Sequence, residues 1–155
     1  KKAIQQADMI VIGPGDLYTN TVANLVVSGV KEAIESSMAK VVFVMNLMSR
    51  MGETYQYKAS NFLNDLSIYL NPDRVDFVII NSETSPSPAV LKKYEAEGQA
   101  PVEDDLSDKW HLAKVVRARL RASHKPQLVK GDTLTRSMVR HDSELLAKEL
   151  VKLLN

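Results

Sequence analysis

Three short and almost continuously apolar segments occur in the first half of the chain, at residues 8–12, 40–45 and 75–80. Strands that are covered on both faces of a parallel sheet have this unbroken pattern, whereas half-exposed strands alternate apolar and polar positions. Helical patterns follow them at 28–38, 57–70 and 85–97, and a last helix is expected at 143–154. This alternation predicts an α/β fold with a doubly wound, mostly parallel sheet.

A polar loop follows each predicted strand, at residues 13–20, 46–55 and 81–85. In open parallel sheets, ligands bind outside the carboxyl ends of the strands. Gly13 and Gly15 allow the backbone to approach a ligand closely, and a helix beginning at about 19–22 would direct its free N–H groups toward the same place. We therefore expect a phosphate or sugar-phosphate site there, with a tight turn that binds no ligand as the alternative.

The candidate ligand contacts lie in these loops or just before the last helix. They are Gly13, Pro14, Gly15, Tyr18, Thr19, Asn46, Gly52, Glu53, Thr54, Asn81 and Arg140. Several have a structural alternative. Thr19 is a possible helix cap, Asn46 a possible cap for its own loop, and Glu53 a typical residue at a helix start. Arg140 either binds a pyrophosphate or carboxylate or pairs at the surface, while Asp142 is expected to cap the last helix.

Composition narrows the function classes. The 155 residues suffice for one α/β domain over 1–155, and the start in a helical pattern without methionine indicates a piece of a longer single-domain protein. The net charge of +1 gives nucleic-acid binding no general electrostatic support. The absence of cysteine excludes disulfides, thiolate metal sites and cysteine nucleophiles. No apolar run approaches the roughly 20 residues that a membrane span requires.

The second half of the chain separates its charges. An acidic stretch at 95–108 precedes a basic one at 109–140. Arg117, Arg119 and Arg121 alternate with apolar residues, which predicts three arginines on one face of a strand. Two interpretations remain open: a solvated sheet edge, or a basic wall that faces an anionic ligand, a subunit or nucleic acid.

The loop motifs resemble one family over nearly the whole chain. The segment Ala7–Gly15 followed by Leu17, Tyr18 and Thr19 is similar to its "AD-apolar-GPGSLYTS" motif. Asn46-Leu47-Met48 with Gly52-Glu53-Thr54 resembles its "NLMTQPGET" loop, and residues 57–60 fit the "Y-x-A-S" continuation. Val139–Asp142 resembles its "VRHDPEKLA" ending. The sequence is thus identified as a member of the CofD-like (2-phospho-L-lactate transferase-like) superfamily, in its gluconeogenesis-factor (YvcK-like) branch.

The resemblance implies a Rossmann-like three-layer fold, a cytoplasmic bacterial protein and a homodimer. It also implies binding of UDP-sugars such as UDP-N-acetylglucosamine, and a regulatory role in cell shape and cell-wall precursor supply on gluconeogenic carbon. The other branch of the superfamily transfers a phospholactyl-type group from a nucleotide diphosphate to a deazaflavin alcohol, with a divalent metal such as Mg²⁺. A third function, binding of a protein or nucleic acid by residues 109–140, follows from charge alone.

Three departures from the family pattern bear on the site. The Gly-rich "GGGTG" loop that the family carries after its first strand does not occur in this chain. Asp16 stands where serine is usual, and its carboxylate would repel phosphate unless it faces away, caps a helix or holds a metal. Ser49-Arg50-Met51 replaces the common "TQP", so that Arg50 is either a positive charge near the ligand or a solvated loop tip.

Overall fold

A computed structural model describes residues 1–83, 86–123 and 137–154 of the chain. Within these residues, five strands form one sheet in the order β1-β2-β3-β5-β4. Their bounds are β1 Met9–Ile12, β2 Lys40–Val44, β3 Phe77–Asn81, β4 Lys109–Trp110 and β5 Ala113–Ala118. The pairs β1–β2, β2–β3 and β3–β5 are parallel, and β4 is antiparallel to β5. The predicted mostly parallel sheet is confirmed.

The helices also agree with the sequence pattern, apart from their ends. They are α1 Lys2–Gln5, α2 Ala23–Leu25, α3 Val30–Glu35, α4 Ala59–Tyr69, α5 Pro88–Ala96 and α6 Ser143–Leu154, with a π-helical turn at Leu17–Val22 and a 3₁₀ turn at Pro72–Arg74. The last helix has the predicted bounds, and the Asp142 carboxylate caps it by accepting from the Glu144 and Leu145 N–H groups. Residue 85, where a helix start is predicted, lies outside the described residues.

Helices cover both faces of the sheet because successive strand residues point to opposite sides. Val41, Phe43 and Ile80 face α2, α3 and α4 in the larger core cluster. Val42 and Ile79 face the opposite way and pack with the apolar side of α6. The result is the expected three-layer arrangement, with the carboxyl ends of β1, β2 and β3 at one edge.

Two local predictions are wrong. The helix after β1 begins at Leu17, two residues before the predicted start, so Thr19 lies within its first turn and is not its N-cap. The cap position belongs to Asp16, whose carbonyl accepts from the Asn20 and Thr21 N–H groups. The basic strand β5 ends at Ala118, so Arg119 and Arg121 lie beyond it. There, the backbone of residues 120–122 pairs with 140–142 through the Ala122 and Asp142 N–H groups.

Candidate functional site

A cleft of about 420 Å³ lies at the carboxyl edge of the sheet. The loop after β1, the loop after β2 and helix α5, which follows β3, all line it. The lining residues are Asp16, Met48, Ser49, Arg50, Lys93, Tyr94, Glu97, Gln99, Ser137 and Met138. Segments that follow three neighbouring strands therefore converge as expected, although α5 forms the third wall in place of loop 81–85.

The wall after β2 is held by a short ladder to the segment after α5. The Ser49 N–H donates to the Ala100 carbonyl at 2.7 Å, and the Ala100 N–H donates to Ser49 Oγ at 3.2 Å. The Val102 N–H donates to the Leu47 carbonyl at 3.0 Å. Ser49 is only 1% exposed, so its hydroxyl stabilises the wall of the cleft.

Helix α5 is fixed to the chain segment before α6 through Tyr94. The Tyr94 hydroxyl accepts from the Val139 N–H at 3.0 Å and shares a hydrogen bond with Ser137 Oγ at 2.7 Å. One turn apart on the exposed side of α5, Lys93 and Glu97 line the cleft. The wall is thus rigid at its base and carries both charges at its surface.

Asp16 and Arg50, two of the departures noted in the sequence, bind each other across the cleft. The Arg50 guanidinium donates to the Asp16 carboxylate, with the two side chains 56% and 30% exposed. This ion pair joins the loop after β1 to the loop after β2. Arg50 is therefore a charged group of the cleft, although more than half of its side chain remains exposed.

The turn at Gly52-Glu53-Thr54 holds the backbone of Arg50. The Arg50 N–H donates to Thr54 Oγ1 at 3.1 Å, and the Arg50 carbonyl accepts from the Glu53 and Thr54 N–H groups. Thr54 is 2% exposed, so this is a structural use of its hydroxyl. Gly52 sits at φ +84° on the surface, and Glu53 carries a buried Oε2 with no hydrogen-bond partner among the described residues.

The Gly13-Pro14-Gly15 loop lines a second depression of about 330 Å³ beside edge strand β1, with Asn20, Thr21 and Asn24. Asn46 holds this loop from β2. Its Nδ2 donates to the Gly15 carbonyl at 2.9 Å, and its Oδ1 accepts weakly from the Gly15 N–H at 3.4 Å. The alternative in which Asn46 caps a loop is therefore observed, although the loop is that of the neighbouring strand.

Tyr18 and Thr19 are placed differently from each other. The Tyr18 hydroxyl donates to Asp65 on α4 at 2.5 Å, with Tyr57 nearby at 3.4 Å. The bond to Asp65, followed by the contact with Tyr57 and by burial, raises the pKa of Tyr18 above its usual range. Its hydroxyl hydrogen is thus already used within the fold, whereas the Thr19 side chain is exposed.

Asn81 has a role parallel to that of Asn46 at the next strand. Its Oδ1 accepts from the Leu120 N–H at 3.1 Å, and its Nδ2 donates to the Glu83 carbonyl at 3.3 Å. Asn46 and Asn81 border a small depression of about 70 Å³ between the ends of β2 and β3. Both asparagines therefore join the end of one strand to the segment that continues its neighbour.

Arg140 lies apart from the cleft, in a depression of about 250 Å³ that His141, Ser143 and Glu144 also line. The Nη1 atom of Arg140 is buried without a hydrogen-bond partner in the described part of the chain. The Nε2 atom of His141 is likewise buried without a hydrogen-bond partner among the described residues. Burial, only partly offset by the Met45 backbone, lowers the pKa of His141 to about 4. Arg140 thus lines a different depression from those that Arg50 and the two glycines line.

Two arginines of the basic region, Arg117 and Arg119, pair with carboxylates of the described chain. Arg117 donates to Asp104 and Asp108 in the acidic stretch and to the Leu106 carbonyl, and these carboxylates raise its pKa. Arg119 pairs with Glu83. These two arginines therefore do not form a basic wall free to bind an anionic partner. Residues 124–136 of this region, which include His124, lie outside the described residues.

The metal-binding potential of the described residues is low. Residues 1–83, 86–123 and 137–154 contain no group of three His, Cys, Asp or Glu side chains placed to hold an ion. The Asp16 carboxylate, the one candidate ligand from the loops, is bound by Arg50. These residues do not fit a Mg²⁺ site.

No helix in the described part of the chain is both long and apolar enough to cross a bilayer.

Sequence reasoning missed the contribution of α5 to the cleft. Lys93 and Glu97 are four residues apart, and this spacing places them on one helix face. This spacing of opposite charges was the available sequence signal for a charged helix face. Nothing local indicated that Tyr94 would bind a segment 43 residues further along the chain.

Comparison with known proteins gives the family. The family model described as 2-phospho-L-lactate transferase CofD matches residues 1–121. A putative gluconeogenesis factor of Thermotoga maritima is 46% identical over 107 residues, which are 69% of this chain and 33% of that protein. The gluconeogenesis factor of Bacillus subtilis is 34% identical over 97% of this chain and 44% of its own length. The chain therefore belongs to the CofD family, and it is similar to the gluconeogenesis factors within it.

The fold is shared with a solved relative. The crystal structure of protein BH3568 from Bacillus halodurans matches with a TM-score of 0.82 and 31% identity, over 97% of this chain and 45% of that one. A second crystal structure of BH3568 describes it as a member of the UPF0052 family. The chain spans less than half the length of these relatives, and its predicted fold class is confirmed.

Proposed function

We propose that this protein is a regulatory nucleotide-sugar-binding protein of the gluconeogenesis-factor type. Its proposed ligands are UDP-sugars such as UDP-N-acetylglucosamine. The observation that carries the proposal is the cleft at the carboxyl ends of parallel strands, whose walls come from segments after β1, β2 and β3. The names of the similar proteins from B. subtilis and T. maritima support the cellular role.

The chemistry of the cleft supports a phosphorylated, hydroxyl-rich ligand. Arg50 and Lys93 supply positive charge for phosphate, and Glu97 supplies acceptors for sugar hydroxyls. Its volume of about 420 Å³ lies in the range of small-molecule pockets. Gly13 and Gly15 line the second depression, and Gly15 directly precedes Asp16 of the cleft. Their backbone groups are proposed to contact the ligand.

A second candidate function is favoured by the description of the matching family model. It is transfer of a phospholactyl-type group from a nucleotide diphosphate to a deazaflavin alcohol. The described residues do not fit the Mg²⁺ that this reaction implies. Because the similar proteins of T. maritima and B. subtilis are named as gluconeogenesis factors, we rank the binding function first, and propose with it a cytoplasmic homodimer that supports cell shape and cell-wall precursor supply on gluconeogenic carbon.

Isothermal titration calorimetry with UDP-N-acetylglucosamine, with and without Mg²⁺, tests the proposal. We expect micromolar affinity that does not depend on the metal. Metal-dependent turnover of a nucleotide-diphosphate donor would replace binding by the transferase function. The absence of any binding of the UDP-sugar would refute the proposed ligand class.

The two glycines of the loop provide a matched pair of variants for separating stability from binding. Gly13 has φ +80°, and a Cβ there would lie 2.9 Å from the Val44 carbonyl oxygen. We expect Gly13→Ala to lower the free energy of unfolding by about 2 kcal/mol, because both the backbone and the contact become strained.

Gly15 has no such constraint, since a Cβ there would meet only the Asn20 side chain at an ordinary 3.5 Å. The free energy of unfolding of Gly15→Ala should therefore lie within about 0.5 kcal/mol of the parent value. Its affinity for UDP-N-acetylglucosamine should be at least about tenfold weaker, because the added methyl group lies at the backbone that is proposed to contact the ligand. Chemical denaturation and calorimetry measure the two effects. Unchanged affinity in Gly15→Ala would remove this loop from the site.

A further inference from the structure

The ion pair between Asp16 and Arg50 has little structural use. Its side chains are 30% and 56% exposed, and exposed ion pairs contribute little to stability. It nevertheless lies in the cleft and joins the loops that follow β1 and β2. A pair in this place controls which groups inside the cleft remain available to a ligand.

The backbones on both sides of the pair are fixed, so that only the two side chains can move. The Asp16 carbonyl accepts from the Asn20 and Thr21 N–H groups of the helical turn that it begins. The Arg50 backbone is held at both its N–H and its carbonyl by Glu53 and Thr54. Opening the pair therefore requires side-chain rotation and no movement of a loop.

The Asp16 carboxylate has a second place to bind when it leaves Arg50. Asp16 is the N-cap residue of the helical turn at Leu17–Val22, yet its side chain makes no capping hydrogen bond within the described structure. Aspartate at an N-cap normally accepts from the N–H groups two and three residues later, here Tyr18 and Thr19. The carboxylate thus has two alternative partners, the Arg50 guanidinium and the start of its own helix.

Arg50 is suited to phosphate when it is released. Its planar guanidinium donates two parallel hydrogen bonds to a phosphate group, and Lys93 adds a second positive charge to the same cleft. A ligand with one negative charge gains little by replacing the Asp16 carboxylate, since it offers Arg50 the same charge. A diphosphate offers more charge and more acceptor oxygens, and it gains by the exchange.

We propose that Asp16 and Arg50 form a ligand-displaced latch in which Arg50 recognises the diphosphate of a nucleotide ligand and Asp16 determines specificity by competing for Arg50. This inference rests on the proposed function. It adds that the cleft selects multiply charged phosphate groups, and that binding moves the Asp16 carboxylate from Arg50 to the N–H groups of Tyr18 and Thr19.

Calorimetric titration with inorganic pyrophosphate tests the latch in a double-mutant cycle. Asp16→Asn keeps the shape of the side chain but weakens its hold on Arg50, and we expect it to bind pyrophosphate at least fivefold more tightly than the parent protein. Arg50→Gln should bind at least tenfold more weakly. In the double variant, Asp16→Asn should add less than a twofold gain, because there is no longer an arginine to release.

Glu103→Gln is the matched control. Glu103 forms an ion pair with Lys58 whose side chains are 64% and 49% exposed, and it does not line the cleft. The substitution changes the total charge by the same amount as Asp16→Asn, and its affinity for pyrophosphate should stay within twofold of the parent value. A control gain equal to that of Asp16→Asn would show a general charge effect and overturn the latch.

Two further results would overturn the latch. One is that Asp16→Asn binds pyrophosphate no more tightly than the parent protein, including the case in which neither binds it. The other is that the gain in affinity persists undiminished in the double variant, which lacks Arg50. Titration of the parent protein with UDP-N-acetylglucosamine tests the proposed function separately. A failure of the proposed function is thereby distinguished from a failure of the latch.

Discussion

Replacing Arg74 by alanine is expected to lower the free energy of unfolding by about 3 kcal/mol, although this residue lies far from the cleft. Its side chain is 15% exposed. Its Nε donates to the Ile34 carbonyl at 2.9 Å, and Nη2 donates to the carbonyls of Ser37 and Ala39. Nη1 pairs with Asp76 at 3.1 Å. One guanidinium thus satisfies three carbonyls between α3 and β2, and its loss leaves them without this donor.

The partner of Arg74 extends the effect into the sheet. Asp76 Oδ2 also accepts from the Val41 N–H at 2.7 Å, so the pair joins the start of β2 to the residue just before β3. Arg74→Lys should recover only part of the stability, since an ammonium reaches Asp76 but does not reproduce the fork that binds three carbonyls. Urea denaturation measures the loss in both variants.

Arg119→Ala is the control for removing an arginine. Its side chain is 81% exposed and pairs with Glu83 at 3.3 Å. Exposed pairs of this kind contribute about 0–1 kcal/mol, so this variant should unfold close to the parent protein. Equal losses at Arg74 and Arg119 would mean that the carbonyl contacts of Arg74 do not stabilise the fold.

The strands and the last helix were predictable because their signals are local. Strands buried on both faces need unbroken apolar residues, and β2 and β3 have this pattern and are mostly buried. The segment of β1 has the same pattern, but β1 lies at the sheet edge and Val11 is 41% exposed, so its predicted burial is wrong. Asp142 directly precedes an amphipathic run, and its carboxylate caps α6 as that position favours. Each prediction needed only neighbouring residues, whose effects do not depend on how the rest of the chain packs.

The partners of the polar side chains were not predictable in the same way. Tyr18 binds Asp65 across 47 residues, and Asn46 holds Gly15 across 31. Either side chain in isolation is an equally good ligand contact. The packing of α4 and the register of β1 against β2 decide between the two uses, and neither is encoded near the residue concerned.

The location of the cleft was predictable, whereas its chemistry was predictable only in part. Parallel strands bring their carboxyl ends together, so the loops after β1 and β2 had to meet. That Asp16 and Arg50 would neutralise each other there depends on the positions of both loop backbones.

His141 should make the fold sensitive to acid, by about 3 kcal/mol between pH 7 and pH 4. Burial lowers its pKa from 6.5 to about 4 in the folded chain. As the pH falls through 6.5, the unfolded chain binds a proton at this residue while the folded chain does not. Stability from this group is therefore complete above pH 6.5 and declines until the folded form also protonates, near pH 4.

The charges around His141 do not offset this penalty. The same depression is lined by Arg140, Asp142 and Glu144. The pKa of His141 is nevertheless set mainly by burial, and the Met45 backbone has the smaller, opposite effect. Asp142 already accepts from two N–H groups of α6.

His141→Gln tests the effect because glutamine is polar, as histidine is, but stays neutral over this pH range. From pH 7 to pH 4, the free energy of unfolding of the parent protein should fall by about 3 kcal/mol relative to that of the variant. Carboxylate effects are common to both proteins and cancel in this comparison. His111→Gln is the control, since the His111 side chain is 50% exposed and lies 3.7 Å from Asp73. If the free energies of unfolding of the parent protein and His141→Gln changed in parallel with pH, His141 would protonate as easily in the folded chain as in the unfolded one. That result would contradict the lowering of its pKa by burial.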